Sequence, residues 1–281
     1  MTVLAFRSLF KEQLQDIYEA SEISSFEKLA FAKIANVTPS YLVLNAEEEL
    51  DQNHLSQLRE VIQRLQKEEP IQYILGDTEF YGLPFIVTPA TLVPRPETEE
   101  LVDWILKEVS KQRHIEILDI GTGSGCIAIS LKSNLPLAGV TAYDLSNEAL
   151  EVANQNAINN KVDVLLEQLD ILEASELNQK FDCIVSNPPY VRVQEQSQIK
   201  ANVLDYEPHQ ALFVADDDAL IFYKKIGELA LNHLTNQGLL FFEINQYLGK
   251  QTKTLLETIG FNKVTLKKDL QGNDRMILAR M

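Results

Sequence analysis

Apolar positions in the first 70 residues recur at helical spacing: Leu9, Phe10, Leu14 and Ile17, then Phe26, Leu29, Ala30 and Ile34, then Leu58, Val61, Ile62 and Leu65. An apolar residue every third or fourth position predicts amphipathic helices that bury one face. Ser24-Ser25-Phe26-Glu27 fits a capping box opening the second helix, and Thr38-Pro39-Ser40 punctuates the turn after it. A compact helical domain over residues 1–70 is the expectation. The pattern changes at Ile71. Residues 71–94 read as a linker, in which Phe80-Tyr81-Gly82-Leu83-Pro84-Phe85-Ile86-Val87 sets aromatic and β-branched residues around a Gly/Pro turn, the signature of a hairpin.

From residue 95 to 281 short apolar runs alternate with helical ones. Ile115–Ile120, Val140–Tyr143, Val162–Leu166, Cys183–Val185 and Leu239–Phe242 read as buried parallel strands. Cys126–Lys132, Asn147–Asn159, Ala219–Leu234 and Gly249–Ile259 read as the helices between them. Such alternation predicts a doubly wound α/β sheet, closed by a terminal hairpin of Phe261–Leu266 and Met276–Ala279. No internal repeat interrupts it.

Composition narrows the function classes. With 45% hydrophobic and 23% charged residues the chain has the balance of a globular protein with a sizeable core. No apolar run reaches the ~18 residues of a membrane span. The first residues, Met1 to Arg7, lead directly to Lys11, Glu12 and Asp16 instead of a secretory h-region, which predicts a cytoplasmic location. Cys126 and Cys183 lie inside apolar stretches and read as buried thiols, and the four histidines show no ligand spacing, so no metal site is expected. The net charge of −16 disfavours a nucleic-acid substrate, whose phosphates call for Lys and Arg. Nothing in the sequence demands a dimer, and a monomer is expected.

Candidate chemistry gathers at the strand ends. The first long strand runs into Gly121-Thr122-Gly123-Ser124-Gly125 and then a helix. Glycines there let backbone approach a ligand closely and adopt φ > 0. The next strand ends in Asp144, an acidic residue about 20 positions on, where ribose hydroxyls are gripped in nucleotide-binding sheets. The bland alternative is a cap on the helix opening at Ser146-Asn147. Asp170 and Ile171, after the third strand, are expected beside the base. The spacing is Gly-x-Gly-x-Gly, not the dinucleotide Gly-x-Gly-x-x-Gly, and Asp119 precedes it. A carboxylate there would repel a pyrophosphate but suits a cationic cofactor, so the expected cofactor is S-adenosylmethionine (SAM).

The fourth strand ends at Ser186 and Asn187-Pro188-Pro189-Tyr190 follows. The two prolines force extended backbone and remove two N–H donors. What stays exposed is a pair of acceptors, the Asn187 side-chain oxygen and the Pro188 carbonyl, able to hold both hydrogens of a planar NH₂ group while Tyr190 packs on it. Asn187 is also expected to border the cofactor. Alternatively the tetrapeptide is a strand-exit turn without chemistry.

Asn-Pro-Pro-Tyr in this position resembles methyltransferases that act on planar NH₂ groups, adenine-N6 and glutamine-N5 enzymes. Pro70-Ile71-Gln72-Tyr73-Ile74-Leu75-Gly76, Glu79-Phe80-Tyr81-Gly82, Leu92-Val93-Pro94-Arg95-Pro96-Glu97-Thr98-Glu99 and Tyr206-Glu207-Pro208 with Ala211-Leu212 make nearly the whole chain similar to the release factor glutamine methyltransferase family. The resemblance implies a Rossmann-like SAM-dependent methyltransferase sheet with a small all-helical N-terminal domain that helps grip the substrate, joined by a β-hairpin linker. It implies transfer of a methyl group to the side-chain nitrogen of the glutamine in the Gly-Gly-Gln loop of peptide chain release factors. Gly121 to Gly125 would line the methionine end, Asp144 the ribose, and Asn187, Pro188, Pro189 and Tyr190 the accepting amide. Arg95 and Glu97 fall in the family's stretch near the site, although Pro94, Pro96 and acidic residues in a first turn also suit a plain helix start. Glu243, at a strand end, is a further candidate. Leu169-Asp170-Ile171 has an aliphatic residue where some relatives carry an aromatic. The alternatives are an adenine-N6 nucleic-acid methyltransferase, disfavoured by the acidic balance, and a binding protein without turnover.

Overall fold

A computed structural model describes residues 1–109 and 111–281, which fold into two compact units. The first comprises Met1–Gly76 together with Lys200–Tyr206. Its helices are α1 (Val3–Leu14), α2 (Ala20–Ala35), α3 (Pro39–Leu44), α4 (Gln52–Leu65) and the single turn α5 (Ile71–Leu75). Thr2 caps α1 by accepting from Ala5 N, and Asp51 caps α4 by accepting from Asn53 N and His54 N, which satisfies donors that a helix start leaves orphaned. The apolar stripes of α1, α2 and α4 meet in one core, with Phe6 edge-on to Phe31 and Leu58 and Leu65 fully buried.

Two sequence expectations fail here. The second helix opens at Ala20 after Glu19, not at Ser24, because Ile23 is buried and draws the preceding turn onto the core. Ser25 then lies inside the helix and donates back to Ser21 O, while the expected capping residue Glu27 is buried in an ion pair with Arg7. Ile17 lies beyond the end of α1 and is exposed, as is Leu29.

The second unit comprises Asp77–Ile199 and Glu207–Met281. It starts with a hairpin of β1 (Asp77–Phe80) and β2 (Leu83–Ile86). Tyr81 and Gly82 both have positive φ, 51° and 73°, the two-residue turn whose twist matches that of the strands. Then follow α6 (Pro96–Glu108), β3 (Glu116–Ile120), α7 (Cys126–Asn134), β4 (Gly139–Asp144), α8 (Asn147–Asn159), β5 (Leu165–Gln168), β6 (Phe181–Ser186) and β7 (Val191–Arg192). Beyond the short α9 (Ala201–Leu204) of the first unit come α10 (His209–Leu212), β8 (Phe213–Val214), α11 (Ile221–His233), β9 (Leu234–Glu243), α12 (Gly249–Ile259), β10 (Lys263–Lys268) and β11 (Asp274–Arg280).

Seven strands form one sheet in the order β5-β4-β3-β6-β9-β11-β10, in which only β11 runs against its neighbours. Alternate residues of β9 serve opposite faces: Phe241 packs edge-on to Trp104 of α6, and Phe242 edge-on to Tyr223 of α11. The third strand begins at Leu165, later than the expected Val162. Val162 N still closes the end of α8 by donating to Ala157 O, so extended pairing with β4 starts only afterwards. From β3 the chain winds outward through β4 to β5, then crosses back to β6 on the other side of β3. At such a switch point the loops leave in opposite directions and open a crevice at the carboxyl ends of the strands.

Candidate active site

That crevice is a cavity of about 210 Å³ reached by the ends of β3, β4 and β6. The glycine loop forms one wall. Gly121 N and Thr122 N both donate to Tyr143 O of β4, and Gly121, Gly123 and Gly125 have φ of +73°, +55° and +81°. A Cβ at Gly121 or Gly123 would meet no protein atom within 4 Å, whereas one at Gly125 would come within 2.8 Å of Ile129 Cδ1 and 3.2 Å of Ala153 Cβ. Two glycines thus keep space open at the cavity and the third lets α7 pack on α8. Asn156, fully buried on α8, ties the loop to the hairpin: its Nδ2 donates to Ser124 O and Ile86 O, and its Oδ1 accepts from Ile86 N.

Asp144 lines the cavity and braces both the glycine loop and the start of α8. One carboxylate oxygen accepts from Gly123 N at 2.8 Å and the other from Ser146 N at 2.9 Å, while Ser146 itself caps α8. Asp170 and Ile171 lie at the same cavity, with Asp170 accepting from Leu172 N. Ser124 also lines it, and its buried hydroxyl has no partner among the described residues. Asp119 is fully buried behind the loop and is not among the lining residues; it accepts from the Thr122 hydroxyl at 2.7 Å. Burial pushes its carboxyl up to about 7 against the lowering effect of the Thr122 hydrogen bond. Cys126, at the start of α7, is held as a neutral thiol by burial, pushed up to about 12.

Asn187, Pro188 and Pro189 form the opposite wall. Ser186 anchors the strand exit by donating to Ile120 O. Asn187 Nδ2 faces Thr98 Oγ1 at 3.4 Å, and the Thr98 hydroxyl donates to Glu243 Oε2 at 2.6 Å. Tyr190 is not a lining residue. Its ring packs toward the α11 side of the sheet and its hydroxyl donates to Glu243 Oε1 at 3.1 Å. Burial pushes both the Glu243 carboxyl and the Tyr190 phenol up. Asn245 holds the tetrapeptide from behind by donating to Tyr190 O.

Arg95 lines the cavity at the start of α6 and pairs with Glu207, whose other oxygen accepts from Val93 N at 3.1 Å. Glu97 points elsewhere, accepting from Gln271. Sequence reasoning missed Thr98 and Asn156 and gave Glu207 no role of its own. Their contacts span 145, 70 and 112 residues respectively, separations at which spacing carries no signal. Among the described residues no cluster suited to a metal ion occurs.

A seven-stranded sheet with one reversed strand, a glycine loop and an acidic residue at adjacent strand ends, and an acceptor pair on the next strand define a Rossmann-like methyltransferase. Residues 99–212 match the Methyltransferase small domain, and residues 7–76 match the PrmC N-terminal domain. The chain is 52% identical to a release factor glutamine methyltransferase of Flavobacterium psychrophilum, over 99% of this chain and 98% of that one. It is 44% identical to one of Bacteroides thetaiotaomicron, over 96% of both. Among solved structures its fold is similar to a T. thermophilus 16S rRNA N2 G1207 methyltransferase in complex with AdoMet and guanosine, with a TM-score of 0.54, 19% identity and coverage of 73% of this chain and 49% of that one. The chain belongs to the release factor glutamine methyltransferase family. No helix among the described residues is long and apolar enough to cross a membrane.

Proposed function

We propose that this protein transfers a methyl group from SAM to the side-chain nitrogen of the glutamine in the Gly-Gly-Gln motif of peptide chain release factors. The observation that carries the reading is the orientation of the Asn187 amide. Its nitrogen is turned to Thr98, and no donor among the described residues bonds its oxygen. That oxygen and the Pro188 carbonyl are two acceptors for the two hydrogens of a primary amide. Holding both turns the nitrogen lone pair toward the methyl donor, and oriented reactants can save up to about 7–11 kcal/mol of the barrier.

The residues present fit SAM. Gly121 and Gly123 leave room for it, Asp144 offers carboxylate lone pairs to ribose hydroxyls, the unpartnered Ser124 hydroxyl can reach its polar end, and Ile171 offers an apolar side to the base. Thr122 and Gly125 shape the same loop, Asp170 borders the base, and Asn187 borders the cofactor as well as the amide. When bound, SAM supplies a methyl group already activated on a sulfonium, so no base is required before transfer. Pro189 keeps the acceptors extended, Tyr190 supports the amide site from behind, and Arg95 borders the substrate side of the cavity, whereas Glu97, turned to Gln271, takes no part. Residues 1–70, with 71–76 and 200–206 that fold in the same unit, serve as the substrate-recognition domain, the rest of 71–94 as linker and the rest of 95–281 as the methyltransferase domain, acting as a monomer in the cytoplasm without binding nucleic acid directly. Adenine-N6 methylation is not favoured.

The test is mass spectrometry of an unmodified release factor incubated with the protein and SAM. The expected result is one added methyl on the Gly-Gly-Gln glutamine, absent from a Gln→Ala substrate. No addition, with SAM binding demonstrated, overturns the reading.

A further inference from the structure

Glu243 is 1% exposed, and each of its carboxylate oxygens accepts from a different hydroxyl, Oε2 from Thr98 and Oε1 from Tyr190. A hydroxyl has one hydrogen to give. At 2.6 Å the Thr98 hydrogen is committed to the carboxylate, the stronger acceptor of its two neighbours. Thr98 then faces Asn187 with lone pairs only, and Asn187 must turn its NH₂ group toward it. An amide side chain has two ends that differ little in shape and wholly in hydrogen-bonding sense, so its direction is set by the network around it. At Asn187 the network has a single sense, from amide to hydroxyl to carboxylate. The 3.4 Å separation makes the first link a weak one, but its job is to select between two ends, not to hold the chain together.

We propose that Thr98 and Glu243 are positioning residues that fix the direction of this relay and thereby keep the Asn187 oxygen, not its nitrogen, turned toward the accepting amide. The inference rests on the reading of Asn187 as an amide acceptor and adds what enforces that role. Thr98 lines the cavity beside Asn187 and Glu243 lies buried behind it, and each acts through the Asn187 amide. With the relay broken, the Asn187 amide rotates, and in the rotated state its NH₂ group meets the substrate NH₂ group, donor against donor. The substrate nitrogen is then held in the wrong orientation or not at all, while the glycine loop and Asp144 at the cofactor end are unchanged.

Methylation of an unmodified release factor under saturating SAM, together with SAM affinity by calorimetry, tests this in four variants. Thr98→Val keeps the shape and removes the hydroxyl, and kcat is expected to fall by about 10²-fold, the scale of an ångström-sized misplacement, with SAM affinity kept. Thr98→Ser restores a hydroxyl and recovers most of that loss, which a purely structural role for the threonine methyl would not allow. Glu243→Gln gives Thr98 either a donor or an acceptor to face, so its kcat falls between wild type and Thr98→Val, again with SAM affinity kept. Asn187→Ala abolishes transfer. If Asn187→Ala is inactive while Thr98→Val and Glu243→Gln turn over at the wild-type rate, the relay proposal fails and the amide-acceptor reading stands. A Thr98→Val variant that loses SAM binding in step with activity, or a Thr98→Ser variant no better than it, also overturns the relay. An Asn187→Ala variant with wild-type turnover removes both readings together.

Discussion

Two carboxylates taken out of water, Asp119 and Glu243, carry different consequences. One oxygen of Asp119 accepts from Thr122, but the other has no partner among the described residues, and burial raises the carboxyl to about 7. A group whose folded pKa exceeds its unfolded value near 3.9 contributes stability in full below the unfolded value, and this is lost as pH rises through the folded one. Asp119→Asn is therefore expected to raise the melting temperature, relative to wild type, more at pH 8 than at pH 5; equal shifts at both would contradict the assignment. Glu243 is surrounded by Thr98 and Glu97 of α6, Tyr190, Tyr223 of α11, Cys126 of α7 and Arg275 of β11, and burial outweighs the cation in raising its carboxyl. The relay runs in one sense only with Glu243 ionised. Wild-type kcat is expected to fall as pH drops through a value above the ordinary carboxylate range, and the Glu243→Gln pH profile should lack that limb. At this scale Asn187, Asp144 and the glycines were legible because their chemistry dictates residue type and local spacing. Thr98 was not, because a threonine on a helix acquires meaning only from the glutamate 145 residues away that folding brings to it.

Among the elements, the glycine loop separates two roles that one motif conceals. Gly125→Ala would force a Cβ between α7 and α8 at a backbone φ of +81°, and a cost of about 1–3 kcal/mol is expected from overpacking and strain, measurable as a lower denaturation midpoint. Gly123→Ala meets no protein atom but still strains a backbone at φ +55°, so its expected signature is weaker SAM binding with a smaller loss of stability than Gly125→Ala. The extents of α8 and α12 followed directly from the alternation of strand and helix patterns, since Asn147–Asn159 and Gly249–Ile259 are where they lie. Boundaries failed where tertiary packing overrode local cues. Buried Ile23 extended α2 back past its serines, and Val162 stayed with the end of α8 instead of joining β5.

For the whole molecule, alternating strands and helices conveyed the α/β class, but the order of the strands did not lie in the pattern. Which edge each strand joins is decided by crossovers that no local window contains. The single reversed strand, β11, was legible only as the second arm of a terminal hairpin. The net charge of −16 leads to an expectation of its own. In a filter-binding assay at physiological salt, the protein should not retain duplex DNA or an RNA hairpin, because phosphate contacts dominate such binding and fade with salt; retention there would revive the adenine reading.

The chain passes between its two units three times, at Gly76, at Ile199 and at Tyr206, because Lys200–Tyr206 folds with the helices. Tyr206 Oη donates to Lys67 O at 2.7 Å, and Lys200 pairs with Glu22. The helical unit is therefore encoded in two separated stretches of the gene. A graft that exchanges only the first stretch between family members would mate a foreign bundle to a resident seven-residue insert. Recombination partners in this family should succeed when both stretches travel together, and fail at the second stretch when they do not.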